Sequence, residues 1–333
     1  MGIHVSSVYW AIAALLVMSF IINSFADTLG DVLHKIGLKL NLPDSVRGAT
    51  FDAVSSSVSE LATALIAVLF YQRFADIGFA TIAGSGVFNI LLIPMLSLIF
   101  FKLPKGMSES ELVIDKKSVR RDAFFYLGCL AILIGSFLTG SLSWITGAIL
   151  ISWYCVYIFV LYKETKAHQA SADSCEVVED SYWKLFSWTL VSLAIIWFCI
   201  DNIIVSAVYI SDTLGIPQFI VSLIVLAACT SIPDTLLSIN SARRGDLEGS
   251  ISNAVGSNIF DISVCLGLPL LLFWKPIEVS FGTNWVLFGF LILSMLLTAG
   301  VLLIRKHLKR RDAWFLFIGY LVFLGYIVIR AIG

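Results

Sequence analysis

Polar side chains that can bind cations stand inside two otherwise apolar stretches of this sequence. The later stretch reads CTSIPDTLLSINSARRGDLEGSISNAVGSNIFDISVCL, and its Asp234 and Asp261 each lie in a run apolar enough to cross a bilayer. The earlier stretch runs from SSSVSEL to FNILL, and its Glu60 and Asn89 take the corresponding places. A carboxylate at membrane depth is costly and marks an ion path by default. A pattern of polar residues in apolar segments that is repeated in two halves of a chain is typical of secondary transporters.

Hydroxyl and amide side chains flank these four positions three or four residues away, which on a helix is the same face. The flanking residues are Ser56, Ser57, Thr230, Ser231, Ser85, Ser257 and Asn258. This all-oxygen set suits hard cations such as Na+, K+ or Ca2+, and it argues against zinc or copper. Pro233 has no N–H, so it is predicted to free the carbonyl of Cys229 as a further ligand.

Each of these residues also has a structural interpretation. A membrane Ser or Thr usually bonds to its own helix, a Gly-Ser pair usually serves packing, and a membrane Asp can have a structural partner. The duplication favours the ion site, because chance would have to place the pattern twice at corresponding depths.

Four further acids remain open at this stage. Asp52 is either an access ligand, a proton site or an interfacial residue, and Asp201 either lines a cavity or bonds across helices. Asp27 and Asp212 stand near predicted span ends, where we expect them to be solvated.

The composition is that of a polytopic membrane protein. The chain is 59% hydrophobic and 14% charged, with a mean hydropathy of +0.93. Its Lys and Arg lie in short loops and form no basic patch, so we expect no nucleic-acid partner. All six Cys except Cys175 lie in apolar spans without a CxxC pair, which predicts small buried hydrophobes. We expect no cofactor and no protein partner, only the lipid bilayer and inorganic cations.

Ten stretches are long and apolar enough to cross a bilayer. They are residues 7–30, 44–70, 76–101, 121–139, 142–162, 182–210, 216–241, 249–273, 282–304 and 312–331. With ten spans, every one of the 22 Lys and Arg except Arg73, Lys275 and Arg330 falls on one side. That side is predicted to be cytoplasmic, with both termini outside. Tyr9–Ile22 is predicted to begin the first span rather than to form a cleaved signal.

The predicted fold is an all-α membrane protein with ten transmembrane helices in two inverted five-helix repeats. Residues 1–162 form the first repeat, 163–181 a short cytoplasmic linker and 182–333 the second repeat. Because each half has an odd number of spans, the halves have opposite orientations, and the regions of Glu60 and Asp234 meet near mid-membrane.

The paired motifs resemble the cation/calcium exchanger superfamily, most of all its potassium-dependent sodium/calcium exchanger branch. The second repeat carries AACTSIPDTLLSINSARRGD and SISNAVGSNIFDISVCLGLPLL; the first carries GATFDAVSSSVSELATAL and DIGFATIAGSGVFNILLIPML. The resemblance implies exchange of Ca2+ for Na+ by alternating access, with Glu60 and Asp234 as the central acidic ligands. It implies supporting ligands at Ser57, Thr230, Ser231, Ser85, Ser257, Asn89 and Asn258. Asp261 matches the position where potassium-dependent members carry Asp, which implies K+ co-transport.

The first repeat departs from the family pattern. Ser55 and Ser59 stand where the family usually has Gly and Pro, and Cys229 replaces a Gly in the second repeat. Without proline at position 59, the second span is predicted to be less broken than the seventh.

Other functions remain as alternatives. A Ca2+/H+ antiporter would use Glu60, Asp234 and Asp52 as proton sites, and a passive cation channel or a degenerate non-transporting homologue would explain the altered first repeat. An enzyme is not expected, because the GxGD motif of intramembrane aspartyl proteases and the HExxH motif of zinc proteases are absent. We expect a plasma membrane or a prokaryotic inner membrane as the location.

Overall fold

The computed structural model describes residues 7–40, 51, 53–102, 115–168, 180–304 and 309–332. Almost all of these residues are helical. The helices are α1 Val8–Lys39, α2 Ala53–Ser56, α3 Val58–Leu69, α4 Phe74–Phe100, α5 Lys116–Leu138, α6 Trp144–His168, α7 Tyr182–Leu214, α8 Gln218–Thr230, α9 Ile232–Arg243, α10 Leu247–Leu272, α11 Phe281–Ile304 and α12 Ala313–Ile332. The all-α prediction needs one small correction, because β1 Ser141–Leu142 pairs antiparallel with β2 Ile277–Glu278.

Membrane-spanning length is reached by eight of the described helices. The pair α8 and α9 would add a ninth span, bent by 43°. The remaining predicted span, 44–70, coincides with the short helices α2 and α3, and residues 41–50 and 52 lie outside the described part. The structure therefore gives a nearly all-helical membrane protein, while the count of ten and the inverted repeat stay predictions.

Two helices occupy the centre of the bundle. In the most apolar window of α4, 78% of the residues are buried, and in that of α10, 72%, against 28% in α1 and α6. Apolar composition alone does not require this, because α1 is as apolar as α4, so the burial reflects contacts with other helices. α4 accordingly packs against α9, α10, α11 and α12, while α1 packs along α7 at the side of the bundle. Polar residues on α4 and α10 are thereby kept away from lipid.

Helix interruptions occur at Ser57 and at Ser231, directly before the first turns that carry the two predicted central acids. Pro233 in the first turn of α9 explains the second interruption, since it cannot continue the hydrogen-bond ladder. The first occurs without a proline, so the absence of proline at position 59 does not leave a continuous helix. Ser59 instead lies with its Oγ 2.9 Å from the carbonyl oxygen of Thr230, across the other interruption.

Among the helices named above, three contain a π-helical segment: Phe74–Phe79 in α4, Ser222–Leu226 in α8 and Asp261–Cys265 in α10. Such turns hold an extra residue and are frequent at functional sites. In α10 the π-helical turn begins at Asp261, one of the predicted site residues. The N–H of Leu266 donates to the carbonyl of Asp261 at 3.1 Å.

Basic residues mark one end of the bundle. The backbone N–H of Lys102 donates to the carbonyl of Ala242 at 3.2 Å, and the Arg310 guanidinium donates to the carbonyl of Phe101 at 3.1 Å. We call the end where α4 and α9 finish and α12 begins the basic end. The predicted partition of basic residues put these side chains together; which end faces the cytoplasm stays a prediction.

The acid Asp180 ties two helices together at the basic end. Its carboxylate lies 2.7 Å from Nζ of Lys184 on α7 and 2.8 Å from Nζ of Lys35 on α1. Hydrogen bonds from Lys184 and Lys35 lower the pKa of Asp180 to about 2. This contact fixes the start of α7 beside the end of α1.

Gly84 permits the close crossing of α4 and α8, and we expect Gly84→Ala to destabilise the fold. A Cβ at this position would lie 1.9 Å from the carbonyl oxygen of Leu223 and 2.8 Å from Cβ of Ala227. Overpacking of this kind costs about 1–3 kcal/mol. Thermal unfolding of the purified protein in detergent should show a lowered midpoint. Gly289→Ala is the matched control, because nothing lies within 4 Å of a Cβ built there. Equal midpoints for the two variants would contradict the packing described for α4 and α8.

Candidate cation-binding site

Three carboxyl groups meet at the centre of the bundle. Glu60 lies in the first turn of α3, Asp234 in the first turn of α9, and Asp261 starts the π-helical turn of α10. All three are completely buried, and one oxygen from each lies within 4.8 Å of the others. None of the ion pairs among the described residues includes any of them. Buried carboxylates without a cationic side chain need bound cations or protons to balance their charge.

Serine hydroxyls from three helices surround Glu60. Its Oε2 lies 2.9 Å from Oγ of Ser59, and its Oε1 lies 3.3 Å from Oγ of Ser85 and 3.4 Å from Oγ of Ser231. The hydroxyls of Ser85 and Ser231 are themselves 2.7 Å apart. Because these residues come from α4 and from the break before α9, the tertiary fold brings both sequence stretches to one carboxylate.

A second group of polar side chains surrounds Asp234. Its Oδ1 accepts a hydrogen bond from Ser257 at 2.9 Å, and its Oδ2 accepts one from Nδ2 of Asn89 at 3.1 Å. Ser56 of α2 lies beside Ser257, with the two hydroxyl oxygens 3.4 Å apart. The carboxylate of Asp234 is thus held by donors from α4 and α10, with Ser56 next to them.

Four buried oxygen atoms of this region have no hydrogen-bond partner among the described residues. They are Ser57 Oγ, Asn89 Oδ1, Asn258 Oδ1 and Asp261 Oδ2. The two amides are fixed through their nitrogens, since Asn258 donates to the carbonyl of Gly86 at 2.9 Å and Asn89 donates to Asp234. An unsatisfied buried acceptor costs about 1–3 kcal/mol. Hard cations take oxygen atoms of this kind as ligands, so bound cations can satisfy unpartnered acceptors in this region.

Thr230 contacts the candidate site with its side chain. Its hydroxyl donates to the carbonyl of Ala227 at 3.2 Å within its own helix, and it also interacts with the carboxylate of Glu60, so its role as a ligand stays a prediction. Its backbone carbonyl is the group that accepts from Ser59 across the helix break. The freed carbonyl predicted at Cys229 stays a prediction.

Sequence reasoning missed one residue of this region. The Sγ of Cys265 lies 3.6 Å from Oδ1 of Asp261 and 3.7 Å from the carbonyl oxygen of Ser57. A thiol therefore stands beside the predicted all-oxygen donor set, and Cys265 is a buried residue with two polar contacts. The signal was its spacing of four residues from Asp261, which puts both side chains on one helix face.

Among the other acids, Asp201 takes the role of a helix-to-helix contact. Its Oδ1 accepts a hydrogen bond from the hydroxyl of Tyr71 at 3.2 Å. Asp212 and Asp27 are both exposed, as expected, and Asp27 also lines a cavity. Asp52 lies outside the described residues.

Two cavities approach the carboxylate cluster from the basic end. One, of about 480 Å3, is lined by Asp27, Asp31 and His34 of α1 and reaches Ser56 and Pro233. Its wall carries the carboxylates of Asp27 and Asp31 and the guanidinium of Arg244, so one negative charge is in excess, which favours cations.

The second cavity, of about 340 Å3, reaches Ser257. Its wall contains a buried ion pair in which Nε of Arg121 lies 2.8 Å from Oδ1 of Asp122. The Tyr157 hydroxyl donates to the same oxygen at 3.2 Å. This arrangement neutralises the guanidinium charge beside the path to the cluster.

A cavity of about 390 Å3 at the opposite end is separate from the cluster. It is lined by Asp76, Glu278 and Arg330 among others, and none of the predicted site residues contributes to its wall. Phe79 and Phe137 stand in that wall with their ring centroids 4.9 Å apart.

Comparison with known proteins assigns most of the chain to one protein family. A family profile described as sodium/calcium exchanger protein matches residues 10–163 and 184–329. The chain belongs to the sodium/calcium exchanger family. This confirms the resemblance predicted from the paired motifs. Members of this family are integral membrane transporters rather than enzymes.

The chain has relatives among animals and bacteria. It is 26% identical to sodium/potassium/calcium exchanger 5 of Homo sapiens, over 71% of this chain and 65% of the human protein. It is 33% identical to the probable sodium/potassium/calcium exchanger CG1090 of Drosophila melanogaster, over 53% of this chain and 28% of that protein. The inner membrane protein YrbG of Escherichia coli (strain K12) is 26% identical, with coverages of 79% and 80%. The present chain thus covers less than two thirds of the length of the human and fly relatives.

Two solved exchangers share the fold. The sodium-calcium exchanger NCX_Mj aligns with a TM-score of 0.63 at 20% identity, over 96% of this chain and 99% of that chain. The H+/Ca2+ exchanger CAX aligns with a TM-score of 0.70 at 13% identity, over 96% and 86%. At these identities the likeness concerns the fold alone.

The hydroxyl of Ser231 is one of the groups that surround Glu60 in the candidate site. We expect Ser231→Ala to weaken Ca2+ binding about tenfold. The variant removes a hydroxyl that contacts both Glu60 and Ser85. A hydrogen bond to a charged group contributes about 1.5–3 kcal/mol, and 1.4 kcal/mol is tenfold in affinity. Calorimetric titration with Ca2+ measures the change. Thr235→Ala is the control, because the Thr235 hydroxyl donates to the carbonyl of Ser231 at 2.7 Å within its own helix. A larger effect in the control would remove Ser231 from the site.

Proposed function

We propose that this protein exchanges Ca2+ for Na+ across a membrane by alternating access, with the cluster of Glu60, Asp234 and Asp261 as the transport site. The observation that carries the proposal is the meeting of these three buried carboxylates without any cationic partner among the described residues. Ca2+ and Na+ are substrates here, bound and released in turn, and competition for one site is the simplest basis of their exchange.

The number of oxygen atoms supports Ca2+ as a substrate. Ca2+ takes about 6–8 oxygen ligands. The three carboxylates and the unpartnered oxygens of Ser57, Asn89 and Asn258 supply a set of that size, and the hydroxyls of Ser85, Ser231 and Ser257 lie next to them. The proposed ligand set therefore keeps every residue predicted from the sequence, and Thr230 adds a backbone carbonyl to its hydroxyl.

Charge balance supports a co-transported monovalent cation. Three ionised carboxylates are neutralised by one Ca2+ together with one K+, whereas two would be neutralised by Ca2+ alone. We therefore infer K+ co-transport through Asp261. The human and fly relatives are named sodium/potassium/calcium exchangers, which agrees with this inference.

A Ca2+/H+ exchange is the second candidate, because a proton on one carboxyl group balances the same charge. The fold likeness to the H+/Ca2+ exchanger CAX, with its TM-score of 0.70, favours keeping this candidate. The two candidates differ in which monovalent ion drives Ca2+ movement.

Alternating access is supported by the asymmetry of the cavities. Two cavities reach Ser56 and Ser257 from the basic end, and the cavity at the other end has no site residue in its wall. We propose that the structure represents a state open towards the basic end, and that this end faces the cytoplasm. The two stretches matched by the family profile, 10–163 and 184–329, support two repeats of one fold, and we propose that they are inverted.

Calcium-45 flux into proteoliposomes loaded with Na+ tests the proposal. We expect uptake on dilution into Na+-free buffer, increased when K+ is present outside. Uptake that follows Na+ but ignores K+ would keep Na+/Ca2+ exchange and remove the role of K+. Uptake driven only by a pH gradient would replace the proposal by Ca2+/H+ exchange, and uptake independent of any imposed gradient would identify a channel.

A further inference from the structure

A thiol stands beside the carboxylate cluster. Cys265 is fully buried, and its Sγ lies 3.6 Å from Oδ1 of Asp261. Both residues belong to the same π-helical turn of α10, in which residues four apart project to nearly the same side. The sulfur also lies 3.7 Å from the carbonyl oxygen of Ser57 at the helix break before α3. Three different kinds of donor atom therefore come together here.

The oxygens around this sulfur have unused binding capacity. Asp261 Oδ2 and Ser57 Oγ are buried and have no hydrogen-bond partner among the described residues. This observation is independent of the thiol. It indicates that oxygen atoms at the junction of α10 and the break before α3 are still available to bind a ligand. A site with both a carboxylate and a thiol differs from a pure oxygen site in the ions it selects.

We propose that Cys265 turns this part of the cluster into a mixed sulfur and oxygen site for a soft divalent cation of about the size of Ca2+, with Cd2+ as the probe. The ligands are Cys265 Sγ, the carboxylate of Asp261 and the oxygens of Ser57. The inference rests on the proposed function, since it concerns the same carboxylates. On binding, the S–H bond breaks, a bond from sulfur to the metal forms, and the proton passes to solvent.

The ion class follows from the donors. Thiolate sulfur prefers soft metal ions, whereas carboxylate and carbonyl oxygens accept hard ones. Cd2+ has nearly the radius of Ca2+ and binds both donor types, so it can occupy a space built for Ca2+ while gaining a bond to sulfur. It should therefore compete with Ca2+ for the cluster and block its transport.

Cys129 provides a matched control. It is as deeply buried as Cys265 and belongs to the same apolar cluster, but no carboxylate of the described residues acts on its thiol. Cys155 is exposed and would bind Cd2+ on its own, and Cys175 lies outside the described residues. The experiment is therefore done in a full-length background in which Cys155 and Cys175 are changed to Ser.

Cd2+ titration of the purified protein, followed by the ultraviolet charge-transfer band of cadmium–thiolate bonds, tests the proposal. In the background protein we expect the band to appear and added Ca2+ to reduce it. Cys265→Ser should remove the band and weaken Cd2+ binding at least tenfold, while Cys129→Ser leaves both unchanged. Cys265→Ala, which needs no hydroxyl partner, should behave as Cys265→Ser does.

Two measurements separate this inference from the proposed function. A band that persists in both Cys265 variants overturns the inference, whatever the calcium flux. A band that depends on Cys265 in a protein without Na+- or H+-driven calcium flux supports the metal site and overturns the proposed exchange. With flux present, a Cd2+ concentration for half-inhibition that rises at least tenfold in Cys265→Ser supports both, and an unchanged value overturns the inference.

Discussion

Asp234→Asn is expected to lower the initial rate of Ca2+ transport at least a hundredfold. Asparagine has nearly the same shape and keeps one acceptor oxygen for Ser257 or Asn89, while its NH2 group replaces the other acceptor, so the variant removes the charge and at most one hydrogen bond. Two unit charges 4 Å apart interact by about 4 kcal/mol at an effective dielectric constant of about 20. Because 1.4 kcal/mol is a factor of ten, the loss of one full charge facing a divalent ion exceeds two orders of magnitude even after allowance for screening.

Calcium-45 uptake in proteoliposomes measures this effect, with the amount of folded protein checked by size-exclusion chromatography. Asp212→Asn makes the same chemical change at an exposed position of α7 and should transport normally. Asp234→Glu keeps the charge and should retain part of the activity. Near-normal transport in Asp234→Asn would remove Asp234 from the transport site and with it the central argument for the proposed function.

Asp261→Asn is expected to abolish stimulation by K+ while Na+-driven Ca2+ uptake stays within about threefold of wild type. The variant lowers the number of carboxylates in the cluster from three to two, and Ca2+ alone then balances the charge. An amide fits this place, because Asn89 takes the corresponding position in the first repeat and is held beside Asp234 by its nitrogen. The effect is one on ion dependence rather than on rate, so a general loss of folding cannot imitate it.

Uptake measured as a function of external K+ checks this expectation at fixed Na+ and pH. Glu248→Gln is a suitable control, since Glu248 lies in the first turn of the same helix, α10, far along the chain from the cluster. If Asp261→Asn still responds to K+, Asp261 is not the potassium ligand. If wild type never responds to K+, and Asp261→Asn instead changes the dependence on a pH gradient, the third carboxylate serves H+ exchange.

The sequence by itself determined the class of protein and nearly the whole candidate site. Composition and the length of the apolar runs required a membrane protein, because such runs cannot be buried in a water-soluble domain of this size. The spacing of Glu60 and Asp234 from nearby hydroxyls predicted the candidate site residues, because carboxylates at membrane depth are costly and by default mark an ion path. Family membership followed from the same motifs and was confirmed by the profile match.

The tertiary structure decided how the two stretches meet. The break at Ser57 needs no proline, and Ser59 bonds across to the carbonyl of Thr230, a contact between residues 171 positions apart. Spacing within one helix cannot reveal such a contact, since it depends on how α3 and α8 pack. The same holds for the neutralised Arg121 in the cavity wall, which in the sequence is only one basic residue of a loop.

Cys265 shows the limit most clearly. Its apolar surroundings in the sequence indicated a core residue, because a thiol packs like a small hydrophobe. Only the π-helical turn of α10 and the helix break at Ser57 bring its sulfur beside a carboxylate and a carbonyl. The sequence determines which side chains can bind an ion, since that is a property of their atoms. Which of them share one site depends on helix winding and packing, and these are decided by contacts between distant parts of the chain.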